Sequence, residues 1–477
     1  MKVNKFLGNT VKYCIPSIVS AIIGIAVIPI ISRVYPADDY GKINLFYSVG
    51  NMVLCIVLLG LDSAYIRFYY EGFRGTKGKD LFPLAFWTAL GLDVLLCAVC
   101  ILIFPDTAGK YLFGERNNKM LLAMGLYVIG LLLFRLLSID TRMDNRALVY
   151  NLQQISLMVS NRISFVLITF LTTDYQTSIL VITASTLILS LIFTVLLKKS
   201  RDFAWKPLSG DTYKAIMLFA IPLMPTTVMT WLNNSVSKMV LSSYNDFAAV
   251  GVLSIATSIA NVFSVIPAAF CTYWSAFMYK NYTTENGFIK KVHNYICLLS
   301  LVMIWGIFVF QDVLYFIVGP EYADSQKYFM LIMLGPIQSL LCETTSYGII
   351  LKNKTKYNLY ISVAAVLVNV AVSYMLYPVY GSLSAAIGIG TAAVIQLVMK
   401  TVIGQKNYSS IVSKKTTILG VTLMLLLILS NIAVWDRFML RLAGAVVTGV
   451  MCVLVYRKEI REIADYAVKF AAKLKKS

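Results

Sequence analysis

Histidine is almost absent from this chain: His293 is the single one among 477 residues. Its scarcity removes most routes to a metal centre or to a triad-type nucleophile. No G-x-x-x-x-G-K-[ST] phosphate loop occurs, so the chain is not expected to hydrolyse a nucleotide. Charge is scarce too, at 14% of residues, and acids are outnumbered by bases, 23 to 42. Long polar stretches are missing. The longest loops run about 15–20 residues, too short for a separate domain or for the acceptor platform of a membrane glycosyltransferase or polymerase. No catalytic residue, metal or cofactor is therefore expected, and the chain is not read as an enzyme. The eight cysteines (14, 55, 97, 100, 271, 297, 342 and 452) all fall in apolar stretches. Cys97 and Cys100 form a C-x-x-C within LLCAVCILIF, but with no second pair and no histidine nearby they read as small packing side chains.

Hydrophobic residues are abundant, at 58%. Fourteen apolar stretches are each long enough to cross a bilayer. They lie near 10–32, 42–66, 81–104, 119–138, 148–171, 177–197, 212–236, 247–272, 291–311, 327–351, 357–377, 381–402, 416–435 and 438–456. Basic residues alternate between the gaps: 32 of the 42 lie in the two termini and every second gap, nine in the other gaps, and one, Arg162, inside a span. Basic residues mark the cytoplasmic side, which predicts both termini inside and an even number of crossings. The same asymmetry accounts for most of the +19 net charge, so nucleic acid is set aside as a partner. Lys2, Lys5 and Lys12 precede an apolar run with no small-residue cleavage site, which reads as a retained first span. His293, beside Lys290 and Lys291, is expected at the membrane interface.

An internal repeat divides the chain. Pro16 aligns with Pro222, Tyr35 with Tyr244, Gly41 with Gly251, Asn51 with Asn261 and Tyr69 with Tyr279, at offsets that settle at 210 residues. The expected fold is all-α: two related six-helix lobes, 1–205 and 206–405, followed by 406–477, which holds two further spans and a basic tail. Parallel repeats of this kind place a substrate path between lobes that rock. In the tail, RKEIREIADYAVKFAAKLKKS sets Ile460, Ile463, Ala464, Ala467, Ala471 and Leu474 on one face of a helix suited to anionic lipid.

Charges at membrane depth require a reason. Arg67, Arg135 and Arg142 cluster at the inner mouth, Arg162 lies deeper with Gln154 and Asn161 on its helix, and Lys238 lies near the outer mouth. This cationic path suits a phosphate-bearing substrate, which arginine grips with a two-pronged fork. Snorkelling or topology determination explains Arg67, Arg135 and Arg142 equally well; for Arg162 the main competitor is an ion pair with Asp93. Asp62, Asp93 and Glu343 are candidates for ion coupling or for helix pairing.

Five segments then carry a resemblance: GLDSAYIRFYYE (60–71), AIPLMPTTVMTWLNNSVSKMVLSSYNDFAAVGVLSIATSIANVF (220–263), FCTYWSAFMYKNY (270–282), VGPEYADSQKY (318–328) and LKNKTKYNLYISVAAVLVNVAVSYMLYPVYGSLSAAIGIGTAA (351–393). These resemble the bacterial polysaccharide transport proteins, the O-antigen and exopolysaccharide flippases of the multidrug/oligosaccharidyl-lipid/polysaccharide exporter superfamily. The resemblance runs over spans 1–12. It implies a V-shaped pair of lobes that moves a polyprenyl-diphosphate-linked oligosaccharide to the outer leaflet of the bacterial cytoplasmic membrane, for O-antigen, capsule or exopolysaccharide. Membrane lipids, a polysaccharide polymerase and glycosyltransferases are the implied partners. One departure is Ser237-Lys238, where the family often has Asp-Arg, so a coupling role for the acid is not carried over. Two rivals share the fold. A multidrug antiporter would want an acid in span 1, which has none. A lipid II flippase would match the 14 spans and the cationic cavity. A structural subunit of an assembly machine would leave Arg162 unexplained.

Overall fold

The computed structural model describes Val19, residues 22–70, 78–170, 172–197, Phe203, 210–352, Lys354 and 356–474. Lys2, Lys5, Lys12, Cys14 and Pro16 lie outside that set. The described residues contain no strand, as hydrocarbon requires of a single chain that does not close a barrel, since a helix satisfies its backbone groups internally. Ten helices among them are long and apolar enough to cross a membrane, or eleven when a bent pair is taken as one span. The protein is thus a polytopic membrane protein, with fewer qualifying helices than the fourteen expected. The difference has identifiable sources. Of the first span only Val19 and α1 (Ile22–Val34) are described, and α1 is short. The fifth and tenth expected spans form α7 (Ala147–Thr169) and α14 (Gln326–Thr345), which are helical but do not reach the apolarity of the others. Gln153, Gln154, Asn161 and Arg162 supply the polarity of α7.

Packing separates two compact units. One comprises residues 1–258 with 319–322 and 369–385; the other comprises 259–318, 323–368 and 386–477. The boundaries expected at 205 and 405 follow the repeat, which is a different criterion.

In the first unit α6 (Asn118–Met143) is the central helix, packed against α4 (Leu81–Leu102), α8 (Tyr175–Leu196), α7 and α2 (Ala37–Val57). Its Leu132, Phe134 and Leu136 are buried in one cluster with Phe82 and Phe193. The second expected span is broken: α2 and α3 (Leu61–Phe68) meet at 57°. Gly60 makes the break possible. It has φ +77° and lies so close to the Ala220 carbonyl that a Cβ would sit 2.3 Å from that oxygen. Next come α5 (Pro105–Phe113), α9 (Gly210–Ala220), α10 (Met224–Ser243) and α11 (Phe247–Phe263).

Two segments of this unit each hold a helix corner. The Tyr111 hydroxyl donates to the Met239 carbonyl (3.0 Å) and the Ser242 hydroxyl donates to the Tyr111 carbonyl, tying α5 to the end of α10. The segment 319–322 does the same for the turn before α2: Gly319 N–H donates to Ser32 Oγ (2.8 Å) and the Tyr322 hydroxyl to the Tyr35 carbonyl (2.8 Å). The N-cap of α2 is Pro36, which offers no side-chain acceptor. Glu321 accepts from Ala37 N–H instead (2.9 Å), setting a negative charge at the positive end of the helix.

In the second unit α13 (Asn286–Tyr315) packs against α14, α18 (Lys414–Val434) and α19 (Phe438–Val455). Arg441 of α19 is 2% exposed and pairs with Asp312, whose other oxygen accepts from Gln326 (2.6 Å). Beside them, Gln311 donates to Asn431 (2.7 Å). This network fastens the two added spans to α13 and α14. His293, expected at the interface, is 1% exposed. Its two ring nitrogens meet the hydroxyls of Thr344 (2.8 Å) and Thr417 (3.1 Å), and those partners are what let a polar ring be buried. The tail forms α20 (Arg457–Leu474), with Glu459 accepting from Asn294 (2.8 Å) and Glu462 from the Tyr295 hydroxyl (2.5 Å) and lying 3.6 Å from Lys291 Nζ.

Candidate functional site

The charged residues singled out in the sequence fall into different settings. Arg135 of α6 donates to Asp62 at 3.1 Å, just past the α2–α3 break. Its charge is therefore neutralised, and Asp62, 7% exposed, has the partner its burial requires. Arg67 is exposed on α3 with its guanidinium 5.8 Å from the Phe68 ring, and Arg142 is exposed at the end of α6. The crowd of charges after α6 is likewise absorbed locally. Asp140 accepts from the hydroxyls of Tyr65 (2.5 Å) and Tyr69 (3.2 Å), and Asp144 accepts from Tyr69 (2.6 Å). Glu343 belongs to the second unit, half-buried, with its backbone carbonyl accepting from the Trp274 indole (2.9 Å) and its carboxylate 3.5 Å from the Tyr347 hydroxyl.

Arg162 and Lys238 remain. They come from α7 and α10, both half-buried, and Lys238 lies within electrostatic reach of the Arg162 charge. Neither has a carboxylate within ion-pair distance among the described residues. The pairing of Arg162 with Asp93 weighed from the sequence does not form. Asp93 is 2% exposed on α4, turned toward Gly125 of α6, and its Oδ2 has no hydrogen-bond partner among the described residues. Tyr47 of α2 is also within electrostatic reach of Arg162. Ser237, next to the lysine, is turned elsewhere: its hydroxyl donates to Asn369 Oδ1 (2.8 Å), which also accepts from Ser373 (3.0 Å). One residue on, about 100° around the helix, Lys238 is left for the Arg162 side.

Below this cation pair a cavity of about 230 Å³ opens between α2, α6, α7 and α10. Asn51, Asp62, Arg135, Gln154, Thr227 and Trp231 supply its polar and aromatic wall. Gln154 was noted in the sequence as sharing a helix face with Asn161, but Trp231 and Thr227 were missed. A tryptophan in an apolar helix carries no sequence signal that separates a cavity wall from a lipid-facing anchor. Among the described residues no cluster of three or more His, Cys, Asp or Glu side chains fit to hold a metal occurs.

No family model and no curated protein matches the chain. Solved structures do. A structure described as "Lipid II flippase MurJ, inward closed conformation" superimposes with a TM-score of 0.69 at 16% identity, covering 94% of this chain and 99% of that one. The fold of this chain is like that of this flippase. An inward-facing multidrug resistance MATE family transporter of the MOP superfamily matches with a TM-score of 0.53 at 12% identity, over 82% of this chain and 94% of its own. The MATE multidrug transporter DinF-BH matches with a TM-score of 0.53 at 14% identity, over 86% and 96%. At these identities the likeness is one of architecture, and it spans both expected lobes of the chain.

Proposed function

We propose that this chain is a flippase that moves a polyprenyl-diphosphate-linked oligosaccharide from the inner to the outer leaflet of the bacterial cytoplasmic membrane. Its product feeds O-antigen, capsule or exopolysaccharide assembly, and it works beside glycosyltransferases and a polymerase without chemistry of its own. The observation that carries this reading is the Arg162–Lys238 pair, two half-buried cations from α7 and α10 with no carboxylate within ion-pair distance among the described residues. Holding two like charges inside a helix bundle is costly. A dianionic diphosphate repays that cost, with arginine gripping two oxygens and lysine acting as a point charge. A lipophilic cation, as an antiporter would carry, meets repulsion there.

The reading is tested by reconstituting the purified protein in phosphatidylethanolamine–phosphatidylglycerol vesicles. One set holds a fluorescent undecaprenyl-diphosphate oligosaccharide and a second holds fluorescent lipid II. Leaflet exchange of the first, above protein-free vesicles, is expected. Exchange of lipid II alone would transfer the role to peptidoglycan assembly, and exchange of neither would overturn the flippase reading.

A further inference from the structure

We infer that the cavity walled by Trp231 is a subsite for the sugar nearest the diphosphate, with the indole stacking on the sugar ring; this rests on the flippase reading and names the part of the cargo that the cation pair does not contact. Three helices build the two levels in parallel. Gln154 precedes Arg162 by eight residues on α7, and Trp231 precedes Lys238 by seven on α10. At 1.5 Å per residue, both wall residues lie about 10–12 Å from their cations, toward the same end of the bundle. On α2, which runs the opposite way, Asn51 lies one turn beyond Tyr47 toward that same end. A headgroup anchored by its diphosphate at Arg162 and Lys238 thus lowers its first sugar into the cavity.

The chemistry of the two levels differs. The upper level has positive charge with no carboxylate within ion-pair distance among the described residues. The lower level is charge-balanced, because the Asp62–Arg135 pair closes on itself at 3.1 Å. What it offers is amide and hydroxyl hydrogen bonding from Gln154, Thr227 and the Oδ1 of Asn51, whose Nδ2 donates to the Tyr47 carbonyl, beside the aromatic faces of Trp231 and Phe134. An uncharged, hydroxyl-rich ring with an apolar face is the ligand class that uses both. At about 230 Å³ the cavity is below the ~300 Å³ at which sites for drug-sized ligands begin. It therefore holds a single ring and leaves the rest of the oligosaccharide outside.

The experiment measures binding of two probes to the full-length protein in nanodiscs: undecaprenyl diphosphate, and the same lipid carrying one hexose. Wild type is expected to bind the glycosylated probe more tightly. Trp231→Ala should weaken that binding about tenfold, the loss of one stacking contact, and leave undecaprenyl diphosphate within about twofold. Trp231→Phe, which keeps an aromatic face and tests folding, should retain most of the difference. Arg162→Ala should weaken both probes. Equal affinity of wild type for the two probes, or an equal loss for both in Trp231→Ala, would overturn the sugar subsite and leave the diphosphate site standing. Absence of binding to either probe by wild type would overturn the flippase reading itself.

Discussion

Gly41 and Gly251 each lie against the backbone of the other's helix. A Cβ on Gly41 would sit 1.8 Å from the Phe247 carbonyl oxygen, and one on Gly251 would sit 2.0 Å from that of Ala37. Ala37 and Phe247 are themselves 210 residues apart, the offset at which the sequence repeat pairs Gly41 with Gly251. The contact between α2 and α11 is thus reciprocal: each helix offers its first-turn carbonyl to the other's glycine four residues on. Tyr111 of α5 and the segment 319–322 fasten the same corners.

Since the opposing atoms are backbone, neither glycine tolerates a methyl group without the helices parting. Gly41→Ala and Gly251→Ala should each lower thermal stability, on the scale of about 1–3 kcal/mol for overpacking. A cysteine at Val250 should become more accessible to a membrane-impermeant thiol reagent in either variant. Unchanged melting and unchanged labelling would mean that the close approach does not exist in the membrane.

The Asp62–Arg135 pair should act as a unit. Because the Arg135 side chain is half exposed, at 51%, the coupling measured by a double-mutant cycle is expected near ~1 kcal/mol. Asp62→Asn should cost less than Arg135→Ala, which leaves a carboxylate at 10% exposure without its cation. Additive losses would show that the two residues do not interact.

The sequence disclosed the helical class and the repeat offset, because apolar runs and matched residues are written one residue at a time. It did not disclose which charges cancel. Asp62 and Arg135 are 73 residues apart, and only the break at Gly60 brings the carboxylate under α6. Arg441 passed unremarked near the start of the last span, because its partner Asp312 lies 129 residues earlier. The expected fifth span is present as a helix, but its polarity sets it below the apolarity of the others. The residues that make α7 too polar to qualify as a membrane helix include Gln154 and Arg162, which the cavity and the cation pair use.

Tail docking should depend on pH. The Tyr295 hydroxyl, and then Lys291, hold the Glu462 carboxyl below its ordinary value of 4.5. A depressed folded-state value contributes stability that is present above about pH 4.5 and is lost as pH falls through the folded-state value. Amides of residues 457–465 should be protected from hydrogen exchange near about pH 6 and lose protection at about pH 3, corrected for the intrinsic rate. Tyr295→Phe should move that loss upward in pH, and a midpoint unmoved by this change would show that the hydroxyl does not hold the carboxylate.

Both termini are expected in the cytoplasm. Reporter fusions after Thr173 and Tyr380 should report outside, and fusions after Arg201, Lys354 and the C-terminus inside. A C-terminal fusion reporting outside contradicts this arrangement.

Arg162 decides the functional reading most directly. The measurement is surface glycan per transporter in the membrane, for wild type, Arg162→Lys and Arg162→Ala. A diphosphate contact predicts normal membrane levels and reduced export in both variants. The reduction should be larger in alanine than in lysine, which keeps the charge but loses the two-pronged fork. Export by Arg162→Ala equal to wild type would remove Arg162 from the substrate path, and with it the reason for two unneutralised cations at this depth.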